Sequence, residues 1–149
     1  MKHNRIIALF LGVFFVLTAS ADPVLGTVKL KNNGSDIQAE ALIDLSARTV
    51  TIGNGQNACI PQYTEGTITI PGSFDINGTI CEVVVGQLAF RLCNSLTEIV
   101  IEEGVYHIGD FAFVGCSSLK KVTLPSTLNG IGSGVIVNLS SLTEVVCNA

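Results

Sequence analysis

The side chains able to do chemistry are few, and their spacing assembles no reactive site. The chain holds two histidines, His3 and His107. His107 stands in Val105-Tyr106-His107-Ile108, where Val105 and Ile108 are expected to face inward. A nucleophilic site needs a base beside a thiol or hydroxyl, and the regular spacing around His107 opens no pocket for Cys116 or a serine. It reads as a surface histidine. The cysteines (Cys59, Cys81, Cys93, Cys116, Cys147) contain no C-x₂₋₄-C pair, the spacing that structural zinc requires. Glu102 and Glu103 adjoin at a turn, where neighbours point apart, so they read as a solvated acidic corner and not as a glycosidase pair. No catalytic, metal-binding or cofactor-binding residue follows, and the chain reads as a non-enzyme.

The elements around these residues say more. With 149 residues, 48% of them hydrophobic and 13% charged, the chain fits one domain and is not disordered. A net charge of −4 with only 8 Lys and Arg offers no surface for nucleic acid phosphates. Lys2 and Arg5 precede the apolar run Ile6 to Leu17, and Ala19-Ser20-Ala21 supplies a small-x-small cleavage site. Residues 1–21 therefore read as a signal peptide cleaved after Ala21. The apolar run falls short of the roughly 20 residues that a membrane-spanning helix needs. Export, to the medium or the cell surface, is expected, with no transmembrane span in the mature protein. The oxidising setting permits disulfides. Five cysteines is an odd number, so at least one stays free or pairs with another chain.

The second half repeats. Val85-Gly86, Ile108-Gly109 and Ile131-Gly132 fall at steps of 23, as do Phe90, Phe113 and Ile136, and Cys93, Cys116 and Leu139. The block Ser95-Leu96-Thr97-Glu98-Ile99-Val100-Ile101 returns at Ser118 to Leu124 and at Ser141 to Cys147 without gaps. A weaker copy, Thr67-Ile68-Thr69-Ile70-Pro71, precedes an insertion, Gly72 to Val84, in which Asn77-Gly78 reads as a tight turn before a strand from Thr79 to Val85. Within each block, Leu, Ile/Val and Ile/Leu should point inward, with the residues between them outward. One such unit cannot bury its apolar edge, but stacked units can, each strand pairing in parallel with the next. Ala89-Phe90 and Ala112-Phe113 should fill the opposite wall from short turns. The Gly of each Ile-Gly pair should support a tight corner.

The pattern I-G-x-x-A-F-x-x-C-x-S-L-x-x-V-x-L-P, complete from Ile108 to Pro125, resembles the BspA-like leucine-rich repeat family of bacterial surface proteins. The resemblance is strong from Thr67 to Cys147, moderate from Thr49 to Gly66 and weak before that. The expected fold is a β-rich leucine-rich-repeat solenoid. It should be a short right-handed parallel stack with an irregular β cap at the N-terminus and no long helix after the signal peptide. The expected division is 1–21 signal, 22–66 cap and 67–149 solenoid, with units near 67–84, 85–107, 108–130 and 131–149. In the cap, Gly26 to Leu30, Ala39 to Leu45 and Arg48 to Ile52 read as strands, the first two joined by the polar loop Lys31 to Ser35. The third unit departs from the pattern, with Val135-Ile136 for Ala-Phe and Leu139 for Cys. The chain stops at Ala149, so either it is a fragment or something covers a strand edge that otherwise invites self-association.

Cys93 and Cys116 read as small inward hydrophobes, and Cys59 with Cys81 as the better candidate bridge. The exposed strand face carries the candidate binding residues in two columns, Thr67, Glu98, Lys121, Glu144 and Thr69, Val100, Thr123, Val146. In the first the charges alternate in sign, which itself serves register. Broad faces of this kind are how solenoids bind. The resemblance implies an adhesin-like module that contacts an extracellular protein of host matrix or cell surface, with no nucleic acid partner. The competing reading is a structural spacer or end-piece of a longer array with no ligand of its own. An exported hydrolase fits least.

Overall fold

The computed structural model describes residues 22–148 in full and only the backbone of residues 5–10 and 13–18. Arg5–Phe10 (β1) and Val13–Thr18 (β2) pair antiparallel as a two-stranded sheet of their own. The small-x-small site at residues 19–21 lies outside the described residues. Among the described residues no helix is long and apolar enough to cross a membrane.

Every other strand belongs to one curled sheet. Val24–Asn32 (β3) and Ser35–Asp44 (β4) form a hairpin, followed by Thr49–Ile52 (β5). Gly66–Ile70 (β6), Ser73–Ile76 (β7) and Thr79–Val85 (β8) come next. Leu96–Ile101 (β9), His107–Ile108 (β10), Lys121–Leu124 (β11), Gly130–Ile131 (β12) and Glu144–Cys147 (β13) complete the chain. Two parallel ladders run side by side, β6-β9-β11-β13 and β5-β8-β10-β12. The repeat places one long and one very short strand in each turn, and stacking satisfies the strand polar groups that a single turn leaves open.

The β3–β4 hairpin closes the stack. β3 pairs antiparallel with β6 and β4 with β5, so one hairpin joins the two ladders into a single sheet. The cap thus opens with a regular hairpin, and its irregular part is the stretch that follows β5. The loop expected at Lys31 to Ser35 shrinks to the two-residue turn Asn33-Gly34, with φ of 49° and 84°, and the flanking strands lengthen accordingly. Both residues take positive φ, as a turn matched to strand twist requires. Asn33 also ties the hairpin to the first repeat strand, since its Oδ1 accepts the Thr67 N–H at 2.9 Å. Asn77-Gly78 forms the same kind of turn between β7 and β8.

The inward positions behave as the alternation demands. Leu96, Ile99, Ile101, Leu119 and Val122 are buried, as are Ala89, Phe90, Ala112 and Phe113. The Phe90 and Phe113 rings stack from one turn to the next with centroids 5.8 Å apart and planes tilted by 43°. Burying each such side chain contributes about 1.5–3 kcal/mol. The last turn differs: Ile131, Ile136 and Val145 are exposed where their sisters Ile108, Phe113 and Val122 are buried.

Two details of the turns depart from the sequence reading. Gly86, Gly109 and Gly132 do not serve a left-handed corner. A Cβ on Gly109 would stand 2.6 Å from Gln87 N, and one on Gly132 would stand 2.6 Å from Asp110 N. Glycine is needed there because successive turns touch backbone to backbone. The left-handed residues lie elsewhere, at two equivalent positions per turn. One set is Leu88, Phe111 and Gly134 (φ 57°, 54° and 64°), and the other is Leu92, Gly115 and Asn138 (φ 59°, 76° and 57°). For a non-glycine residue that conformation costs roughly 1–2 kcal/mol.

Candidate functional site

The expected strand-face columns are assembled by register. Thr67 and Lys121 each stand opposite Glu98, and Lys121 also stands opposite Glu144 on its other side. Thr69, Val100, Thr123 and Val146 follow in the next row outward along the same strands. Thr67 Oγ1 donates to Glu98 Oε2 at 3.3 Å. Lys121 Nζ lies 3.8 Å from both Glu98 Oε1 and Glu144 Oε2, bridging three turns. Pairs this exposed contribute about 0–1 kcal/mol each, so they set register more than stability. Except for exposed Glu144, the face is half-buried. It is a continuous parallel surface of small β-branched side chains beside a band of alternating charge.

The residues considered for chemistry do not converge. His107 is half-buried on β10, paired between Val84 and Gly130 in the other ladder. Cys116 is buried and its Sγ–H donates to Phe90 O at 3.0 Å. Among the described residues no group of three His, Cys, Asp or Glu is placed to hold a metal. Glu102 is exposed, whereas Glu103 has a structural task that adjacency alone did not reveal. Its carboxylate accepts from Ser126 N at 2.9 Å, Ser126 Oγ at 2.8 Å and Thr127 N at 3.3 Å. It thereby clamps the corner of the next turn, and those bonds, Ser126 first, hold its carboxyl below the usual range. The signal available in sequence is the spacing, since Glu103 and Ser126 stand one repeat apart.

All five cysteines are free thiols, so the Cys59–Cys81 bridge is not formed. Cys59 belongs beside the first repeat turn, where it is buried and its N–H donates to Ala89 O at 2.7 Å. Cys81 sits instead on β8, opposite Phe74. Burial pushes Cys93 up to about 12 and Cys116 to about 11, and it raises Cys59 and Cys81 as well. Only Cys147 is exposed. In the native protein at pH 8, Ellman's reagent is expected to titrate one thiol quickly, and all five after denaturation. Fewer than five in denaturant would show that a disulfide forms.

The equivalent columns and the one-repeat steps of their bonds are those of a repeat family. The family model described as "BspA type Leucine rich repeat region (6 copies)" matches residues 83–149. Over that stretch the chain is similar to a BspA-type leucine-rich repeat region. The structure extends the ladder of the matched region upstream, since β6 pairs in parallel with β9. Thr67 and Thr69 therefore share the strand face from outside the matched stretch. Among solved structures, the chain is similar to a leucine rich cell surface protein from Faecalibacterium prausnitzii A2-165, at 29% identity and a TM-score of 0.56. That match covers 71% of this chain and 28% of the other. The pneumococcal vaccine antigen PcpA matches at 18% identity and a TM-score of 0.49, over 83% of this chain and 38% of PcpA. This chain thus spans well under half the length of either. No curated protein matches it.

Proposed function

We propose that the chain is an exported, non-catalytic, adhesin-like binding module that meets an extracellular protein of host matrix or cell surface through its strand face. The observation that supports this most is the strand face itself, where four strands align Thr67, Glu98, Lys121 and Glu144 beside Thr69, Val100, Thr123 and Val146. Likeness to a cell surface repeat protein agrees with it, and so does the apolar leader ending in Ala19-Ser20-Ala21. Repeat regions of this type are generally non-enzymatic.

Mass spectrometry of the exported protein should find a chain beginning at Asp22. Titrated against immobilised matrix glycoproteins, that protein should bind saturably, and the Lys121→Glu, Thr123→Arg variant should bind at least about tenfold more weakly. Tenfold corresponds to about 1.4 kcal/mol, a modest loss for two central contacts. Absence of binding by the folded protein would remove this reading. A second reading, a structural piece of a longer array with no ligand of its own, is favoured by the exposure of Ile131, Ile136 and Val145. On that reading no glycoprotein titrates, and sedimentation shows the protein associating through its β13 edge.

A further inference from the structure

The order of strands hides a free edge in the cap. β3 stands between β4 and β6 in that order, yet β6 pairs only with Lys31 and Asn32 at its end. β6 stops at Ile70 because Pro71 follows, and proline has no N–H to give a ladder. Among the described residues no strand lies along the rest of that edge, from Val24 to Leu30.

The hairpin turn fixes which backbone groups face outward there. Asn32 and Ser35 flank the two-residue turn and exchange both backbone bonds, and facing pairs alternate from that point. Even-numbered residues of β3 therefore aim N–H and C=O at β4, and odd-numbered ones aim them away. Asn33 follows the same sense, since its N–H donates to Thr67 O at 3.0 Å. Leu25, Thr27 and Lys29 are left with backbone donors and acceptors that meet no strand among the described residues. Their side chains lie on the outer face, with Leu25 55% exposed, while Gly26, Val28 and Leu30 between and beyond them are buried.

A strand is what completes such an edge, and this edge is complementary to itself. Two copies related by a two-fold axis at Thr27 run antiparallel, and all the outward groups of Leu25, Thr27 and Lys29 then pair. Thr27 meets Thr27 of the second copy, and Leu25 meets Lys29 on both sides of the axis. Threonine pairs are favourable across strands, and the lysine stem covers the leucine. No like charges face each other, and Lys29 keeps Asp36 of its own hairpin at 3.3 Å. Other alignments fit worse. An axis at Lys29 sets lysine on lysine, and the edge at Lys31 is already taken by Thr69.

We propose that β3 is a self-association edge, to which a second copy of this chain adds antiparallel through Leu25, Thr27 and Lys29. The surface is distinct from the β13 edge, and it stands whether or not the strand face binds a glycoprotein. An interface this small holds weakly, so sedimentation of the exported protein should span about 1 μM to about 1 mM. A reversible monomer–dimer equilibrium is expected. Leu25→Lys and Leu25→Glu remove the same exposed leucine and differ only in charge. The first sets like charges opposite Lys29 twice in each dimer and the second sets opposite charges there, so the dissociation constants should differ at least about tenfold, with Leu25→Glu the tighter. Thr27→Pro removes an outward N–H from an edge position that tolerates proline. It should abolish the dimer and keep the circular dichroism spectrum. Should Thr27→Pro fail to fold, the two Leu25 variants decide. Absence of association by the unmodified protein would overturn the proposal. So would equal weakening by both Leu25 variants, which marks a mere apolar contact, and so would association that no β3 variant alters, which places it on the β13 edge.

Discussion

Phe113→Ala is expected to lower stability by about 3–5 kcal/mol, the usual cost of removing a fully buried phenylalanine. Phe113 is 0% exposed and stacks on Phe90 from the preceding turn. Its ring and that of Phe90 fill the space between the turn wall and the strand ladders, so the void left behind is bounded by two neighbouring turns. Domains of this size keep only about 5–15 kcal/mol in total, and the variant should be partly unfolded near 37 °C. In urea the midpoint should fall by more than about 1 M at a slope of about 1–3 kcal/mol/M. Phe111, two residues earlier, is the internal comparison. It is 41% exposed in left-handed backbone, and Phe111→Gly should change the midpoint little, because relief of strain offsets the lost contact and the added chain entropy. A Phe113→Ala cost below about 1 kcal/mol would mean that the phenylalanine stack does not hold the turns together.

Gly109→Ala should be the most damaging substitution of a single methyl group. The added Cβ would meet Gln87 N at 2.6 Å and the Gly86 carbonyl carbon at 2.9 Å, both backbone atoms of the preceding turn. Neither can rotate away. Relief requires separating two turns at the point where Gly109 N–H donates to Val85 O at 2.7 Å, beside the β8–β10 pairing. Overpacking of this kind costs typically about 1–3 kcal/mol and occasionally more. Gly109→Val should cost more still. Urea titrations of the two variants decide the matter, and equal stability of Gly109→Ala and the unmodified protein would show that the turns slide apart freely.

Much of the scaffold was legible because stacked repeats write their geometry into spacing. The 23-residue step places Val122 between Ile99 and Val145, and the alternation within Leu96 to Ile101 states which side faces in. The burial of Phe90, Phe113, Cys93 and Cys116 follows from the same two facts. Other features were not legible, for identifiable reasons. β7 was missed because Ser73–Ile76 is a short edge strand in an insertion that breaks the period. The pairing of the cap with the first repeat strand was not read because β3 meets β6 across an intervening stretch of chain with no repeat to align it. The Asn33-Gly34 turn carried the same signal as Asn77-Gly78 and could have been read from it. The thiols were misgrouped because Cys59 lies beside the first repeat turn without the repeat spacing.

By itself the sequence determined the repeat length, the pairing of equivalent strands and the inward residues, since alternation and period are local properties of the chain. Tertiary structure decided how one hairpin closes two ladders, why Gly86, Gly109 and Gly132 are glycines, and that Leu92 and Phe111 are partly exposed. Those outcomes depend on which turn lies against which, and contact between turns is not encoded at any one position.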